Sequence, residues 1–245
     1  MFIKLKPLIY SLIFLFGMEV FFLFNSWSFY VIAILLILAF FQGKKVGGKW
    51  IFSFIPSIFV IFSGALFYLV TLSLEKQIFI LLSSSIYYLA LLGASRLKES
   101  PTDKTAKGML IAASFTSLFF ALTSFYGFYL NFMIPVYGLM LTYFIVSFLV
   151  SYQTLYLFER SKKMTLSYSF ILALVVAEIS WALNFWPFGY LTTGVIALIL
   201  YYVLWEIVRS HFLLILSKKR IVWQLATFCF VSAMVLITSK WIPAF

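Results

Sequence analysis

The chain from Ile51 to Leu74 reads IFSFIPSIFVIFSGALFYLVTLSL, a stretch without a single charged side chain. A helix of about 20 apolar residues crosses the ~30 Å hydrocarbon core of a bilayer. Continuously apolar runs favour helices, because membrane β-strands alternate in hydrophobicity over segments of about ten residues. This stretch therefore predicts a membrane-spanning helix.

Similar runs recur along the whole chain, separated by short polar breaks. With 64% hydrophobic and 10% charged residues, the chain lies far from soluble proteins, in which about 25% of residues are charged. We predict an all-α, polytopic α-helical membrane protein, a single integral membrane domain over residues 1–245, with about nine transmembrane helices forming four hairpins plus a final helix. The predicted spans are 8–24, 27–42, 51–74, 77–94, 108–130, 132–158, 165–184, 189–209 and 221–241.

Lysines and arginines cluster in alternate connections between these spans. Only Lys76 and Lys240, of 18 basic residues, fall on the opposite side. Because basic loops stay in the cytoplasm, the N-terminus is predicted to be cytoplasmic, in a multi-pass protein of the inner or plasma membrane with a cytoplasmic loop at 95–107. The net charge of +11 lies in these loops, so we expect contact with anionic lipid headgroups and not with nucleic acid.

One sequence pattern, Glu-x5-Asn-x-Trp-x-Phe, occurs twice, beginning at Glu19 and at Glu178. We interpret the two copies as a parallel internal repeat of the hairpins 8–42 and 165–209, with chance matches in an aromatic-rich sequence as the alternative. In each copy the asparagine and the aromatic residues suit an outer turn and an interfacial belt. The glutamates need a further explanation.

Glu19 and Glu178 each lie inside a predicted span, six residues before the turn. An ionisable side chain in hydrocarbon is costly and is a functional candidate by default. One hypothesis is that the two carboxyls meet, share a proton or bind a cation or ligand, with Trp181 on the same face. The other is that each carboxyl bonds a neighbouring helix and fixes its packing.

Other polar residues have structural interpretations. Glu206 is predicted to reach the headgroup region or to pair with Arg209, three residues later at the inner end of its helix, and His211 lies at the same border. Serines 83–85 are expected to pack against another helix or to bond the backbone of their own helix. The hydroxyl groups of the fifth and sixth spans either line a path for a small solute or form a helix interface.

The residues that the chain lacks limit its chemistry. One histidine and one cysteine exclude multi-histidine metal centres and an internal disulfide. We therefore assign no catalytic residue, no metal ligand and no cofactor. The leading hypothesis is a small transporter or permease-like protein that uses Glu19 and Glu178. The alternative is a non-enzymatic assembly subunit with a membrane-protein partner or a second copy of itself, and a membrane-embedded lipid enzyme is the third.

Overall fold

The computed structural model describes residues 5–24, 27–132, 134–158 and 161–239, and this part of the chain is all-α. A 3₁₀ turn, Trp50–Ser53, leads directly into the third helix. In the described ranges, nine helices are long and apolar enough to cross a membrane, which confirms the all-α class and the predicted number of candidate spans. They are α1 (Leu5–Leu23), α2 (Ser28–Gly47), α3 (Phe54–Leu69), α4 (Ser73–Glu99), α5 (Lys104–Phe132), α6 (Val136–Tyr156), α7 (Lys162–Leu183), α8 (Tyr190–Phe212) and α9 (Lys218–Thr238).

Several helices extend beyond the apolar runs that predicted them. The second span was expected to end at residue 42, yet α2 continues to Gly47 through two lysines. Polar residues form the same backbone hydrogen bonds in a helix as apolar residues do, so hydropathy underestimates helix length. The helix ends where Gly48 adopts a left-handed backbone with φ of 76°, and its N–H bonds the carbonyl oxygen of Lys44 at 2.8 Å.

Two connections also differ from the sequence prediction, because the helices include charged residues that were predicted to lie in turns or loops. The hairpin predicted to turn at Glu75 and Lys76 turns instead at residues 70–72, and both charged residues belong to the first turn of α4. The loop predicted over 95–107 contains only residues 100–103 outside the helices, because α4 runs to Glu99 and α5 starts at Lys104. Most charged residues here occupy helix ends, and Asp103 is the one in the loop.

The chain divides into two compact units, Met1–Phe120 and Ala121–Phe245. In the first unit, Phe14 of α1 stacks on Tyr87 of α4 with ring centroids 4.7 Å apart, and Phe59 of α3 packs edge-on against Phe14. All three rings are almost fully buried. The Tyr87 hydroxyl donates to Oε1 of Gln42 in α2 at 2.8 Å. An aromatic cluster with one buried hydrogen bond therefore joins four helices.

The core of the second unit mixes large aromatic side chains with hydroxyl groups. Tyr201 of α8 is within hydrogen-bond distance of Ser151 in α6, with 3.0 Å between their oxygens. Trp205, one turn further along α8, donates its indole N–H to Thr154 at 3.1 Å. The Tyr143 hydroxyl donates to the carbonyl oxygen of Leu122 at 2.6 Å. Hydrogen bonds between helices thus hold α6 against α5 and α8.

Candidate functional site in the membrane-spanning helices

Glu19 lies in α1, about one turn before the helix ends, and its side chain is half-buried. Gln77 in the second turn of α4 donates from Nε2 to Oε2 of Glu19 at 3.3 Å. This contact lies within the first unit and connects α1 to α4. The other carboxyl oxygen of Glu19 has no hydrogen-bond partner among the described residues, and it is available to a proton, a cation or a donor group.

An aromatic pocket opens beside this contact in the first unit. The pocket has a volume of about 240 Å³, and its lining consists of two α1 side chains, two α3 side chains and one lysine, namely Phe21, Phe22, Phe67, Tyr68 and Lys76. Phe22 is one turn from Glu19 along α1, and Lys76 precedes Gln77 in α4. The Lys76 ammonium lies 5.4 Å from the centroid of the Phe67 ring. A carboxyl, an amide and an ammonium group therefore occur at one end of the same helix pair.

Glu178 belongs to the second unit, within α7, and its surroundings differ from those of Glu19. Its side chain is exposed, and it forms no hydrogen bond or ion pair with any residue that the structure describes. Trp181, one turn further, is 53% exposed and packs edge-on against Phe185 with centroids 5.1 Å apart. Leu174, one turn before, is also exposed. Glu178 thus interrupts an apolar surface.

The two copies of the sequence pattern fall on comparable helix pairs. Glu19 and Glu178 both precede the end of their helix by a little more than one turn, and a short connection follows each helix. Asn184 follows the last residue of α7, whereas Asn25 lies outside the described residues. Each carboxyl is positioned by its own unit, so a ligand shared by Glu19 and Glu178 stays a prediction.

Several hydroxyl groups of the fifth and sixth spans are buried in the protein. Ser114 and Ser117 are buried and donate to carbonyl oxygens one turn earlier in α5, at 2.6 and 2.8 Å. Ser151 and Thr154 take part in the α6–α8 contacts of the second unit. Among the described hydroxyls, these four belong to helix packing. The interface alternative accounts for them without a solute path.

Serines 83–85 behave as the sequence predicted. Their hydroxyls donate to carbonyl oxygens of α4 at 3.1, 2.9 and 2.8 Å. A groove of about 320 Å³ nevertheless opens between α1 and α4 beside them. Its walls are four leucines, with hydroxyl groups from Ser11, Ser84, Ser85 and Tyr88. This groove is mainly apolar and lies in the first unit.

The opposite ends of the helices carry a charged cluster in the second unit. Glu206 is buried and pairs with Arg209 at 2.8 Å, as predicted from their spacing. Arg220 at the start of α9 also binds Glu206, at 3.3 Å, and so links α9 to α8. His211 is exposed and packs edge-on against Tyr168 at 5.8 Å. The cluster has a clear structural role in joining two helices.

The described part of the chain is all-α, with nine helices long and apolar enough to cross a membrane, and each of two helix pairs carries a glutamate. The family described as "Protein of unknown function (DUF5656)" matches residues 41–239, and the chain belongs to this family. The matched range contains Glu178 and begins after Glu19. Comparisons with curated proteins and with solved structures give no match.

Sequence reasoning found both glutamates but not their surroundings. Gln77, Lys76 and Phe67 come from parts of the chain distant from Glu19, and no spacing along the sequence connects them. One signal was available, because Lys76 is a rare basic residue on the side that is otherwise poor in positive charge. This exceptional lysine belongs to the lining of the aromatic pocket.

Proposed function

We propose that this protein is a multi-pass protein of the cell membrane that binds or moves a small solute, ion or lipid. Glu19 and Glu178 are the ligand- or proton-binding acids in this proposal, and Trp181 borders the second one. The observation that carries it is the Glu19–Gln77 contact at 3.3 Å beside the aromatic pocket. A neutral amide is a weak partner for a carboxylate, so this carboxyl keeps capacity for a proton, a cation or a ligand hydroxyl.

The proposed orientation places the N-terminus in the cytoplasm and the C-terminus outside. The last turn of α4 contains Arg96 and Lys98, the last turn of α2 contains Lys44 and Lys45, and the basic cluster at 218–220 begins α9. All of these ends would then lie in the cytoplasm, where they meet anionic headgroups. Lys76 would lie on the outer side. Lys240, the other exception, lies outside the described residues.

An assembly role is the second candidate, and the surface of the second unit favours it. Glu178 is exposed within a span, five residues before the end of α7, and has no partner among the described residues, although an ionisable side chain inside a span is costly. In the most apolar window of α9, only 6% of residues are buried inside the protein. A partner chain could cover these surfaces, either another membrane protein or a second copy. It would supply the hydrogen-bond or ionic partner that Glu178 lacks among the described residues.

The test replaces Glu19 and Glu178 by glutamine, singly and together, in purified protein reconstituted into liposomes. Glutamine keeps the size and hydrogen-bonding ability of the side chain but cannot ionise. Flux of H⁺, Na⁺ and K⁺ and transfer of fluorescent phospholipid between leaflets would be measured. We expect one of these activities in the wild type and at least a tenfold loss in Glu19→Gln and in the double variant.

The matched control is Glu99→Gln, which removes an exposed glutamate from the last turn of α4. We expect this variant to retain wild-type activity. Undiminished activity in a folded double variant would refute the role of the two acids. An inactive wild type that co-purifies with a defined membrane partner, and loses it on Glu178→Gln, would establish the assembly role instead.

A further inference from the structure

Lys76 lies at the opposite end of α4 from the other basic residues in the last turn of this helix. Arg96 and Lys98 lie in the last turn of α4, whereas Lys76 lies in its first turn. At 1.5 Å per residue, the two ends of this 27-residue helix are about 39 Å apart, so they meet opposite membrane surfaces in either orientation. Lysine is rare on the side to which Lys76 belongs, and its presence there needs a local reason.

The ammonium group of Lys76 has no partner of opposite charge in the described part of the chain. Neither Glu19 nor Glu75 forms an ion pair with it, and its side chain donates no hydrogen bond there. Its contact is with the face of the Phe67 ring, 5.4 Å away. The side chain is half-buried, which makes an uncompensated charge costly. An anion at this position would remove that cost.

The walls of the pocket combine aromatic rings with polar groups. Phe21 and Phe67 are almost fully buried and pack with ring centroids 5.0 Å apart, and Phe22 packs edge-on against Phe67. Tyr68 is 56% exposed at the rim. The aromatic surface lies next to the ammonium in a pocket of about 240 Å³. That volume is below the roughly 300–1,000 Å³ of pockets for drug-sized ligands, so it accommodates a headgroup and the beginning of a chain.

We propose that the aromatic pocket binds an anionic phospholipid, with the phosphodiester on Lys76 and the start of the acyl chains against Phe22 and Tyr68, the less buried rings of its lining. A phosphodiester carries one negative charge. Inorganic phosphate carries about two at neutral pH and would be repelled more strongly by Glu75 and Glu19, which are close to Lys76 in the sequence or in the fold. The lipid proposal names one ligand class for the site beside Glu19 and so rests on the proposed function. Lys76→Gln tests the lipid and Glu19→Gln tests the acid, which keeps the two failures distinguishable.

The experiment measures lipid binding to the full-length protein in a neutral detergent by native mass spectrometry. Separate arms contain phosphatidylglycerol, phosphatidylcholine and inorganic phosphate. We expect tighter binding of phosphatidylglycerol than of phosphatidylcholine, and a loss of about fivefold in the affinity for phosphatidylglycerol in Lys76→Gln, the loss expected for one lysine near a membrane surface. Lys76→Arg should retain the affinity, because the charge remains.

Two variants make the result specific to the pocket. Lys163→Gln removes an exposed lysine from the first turn of α7 and should leave the affinity unchanged. Glu75→Gln removes the negative neighbour and should strengthen binding of phosphatidylglycerol. Equal affinities of the wild type and a folded Lys76→Gln variant would overturn the proposal, as would equal binding of the two lipids. Competition by millimolar inorganic phosphate would assign the site to free anions and reject the lipid.

Discussion

Asp103 directly precedes α5. Its Oδ1 accepts hydrogen bonds from two backbone N–H groups, that of Thr105 at 2.9 Å and that of Ala106 at 3.2 Å. Its carboxylate also pairs with the Arg96 guanidinium at 2.7 Å. The hydrogen bond from Ala106 and the positive charge of Arg96 hold the pKa of Asp103 below its ordinary value of 3.8. The Asp103 carboxylate therefore stabilises the folded protein at pH values above its pKa in the unfolded chain. This stabilisation is lost as the pH falls through its pKa in the folded protein.

Asp103→Ala should lower the thermal midpoint of the detergent-solubilised protein at pH 7 by an amount on the order of a few degrees, because the cap and the ion pair are both lost. Asp103→Asn keeps a capping oxygen and should have a smaller effect. The difference between wild type and Asp103→Ala should shrink below about pH 4. Thr102→Ala changes an exposed neighbour and is the control. A difference that grows in acid would contradict this account.

Sequence spacing predicts contacts between residues on one helix but not contacts between helices. Glu206 and Arg209 are three residues apart, and their ion pair could be predicted from helix geometry alone. Arg220 joins the same carboxylate from another helix, and its part in the cluster could not be read from spacing. Gln77 reaches Glu19 from a position 58 residues away. The candidate acids were predictable, and their partners were not.

At the scale of helices, Gly194 marks the closest approach of α8 to α5. It is buried, and a Cβ added to it would collide with the hydroxyl of Thr123 and lie 3.0 Å from the Thr123 Cα. Since Cα is backbone, no change of side-chain rotamer relieves this contact. The two helices would have to separate, as in other membrane interfaces built on small residues.

We therefore expect Gly194→Ala to destabilise the protein by about 1–3 kcal/mol, the usual cost of overpacking a core. Gly108→Ala is the matched control, because Gly108 is exposed in α5 and an added Cβ meets no atom within 4 Å. That control should be neutral or stabilising by up to about 1 kcal/mol, since alanine favours helix. Reversible unfolding in mixed micelles measures both values. Equal stabilities of the two variants would show that α5 and α8 do not pack this closely.

At the scale of the whole molecule, composition determined the class, and hydropathy located every span to within a few residues. The sequence did not show which face of each helix is buried, because helices that are apolar all round carry no periodic signal. Leu35 and Ile37, both in α2, are alike in hydropathy, yet Leu35 is 6% exposed and Ile37 is 58% exposed. Burial here depends on which neighbour supplies a surface, and that is a property of the folded units.

The proposed orientation makes opposite predictions for two exposed loop residues. Thr71 lies between α3 and α4, and Thr102 lies between α4 and α5. Cys229, the single cysteine, is replaced by alanine first, and one new cysteine is then introduced at either position. With an N-terminus in the cytoplasm, Thr71→Cys should react with a membrane-impermeant maleimide in intact cells. Thr102→Cys should react only after permeabilisation, because its loop lies inside.

The reverse pattern would invert the topology and would place Lys76 and the aromatic pocket at the cytoplasmic surface. Equal labelling at both sites in intact cells would exclude a membrane-spanning α4.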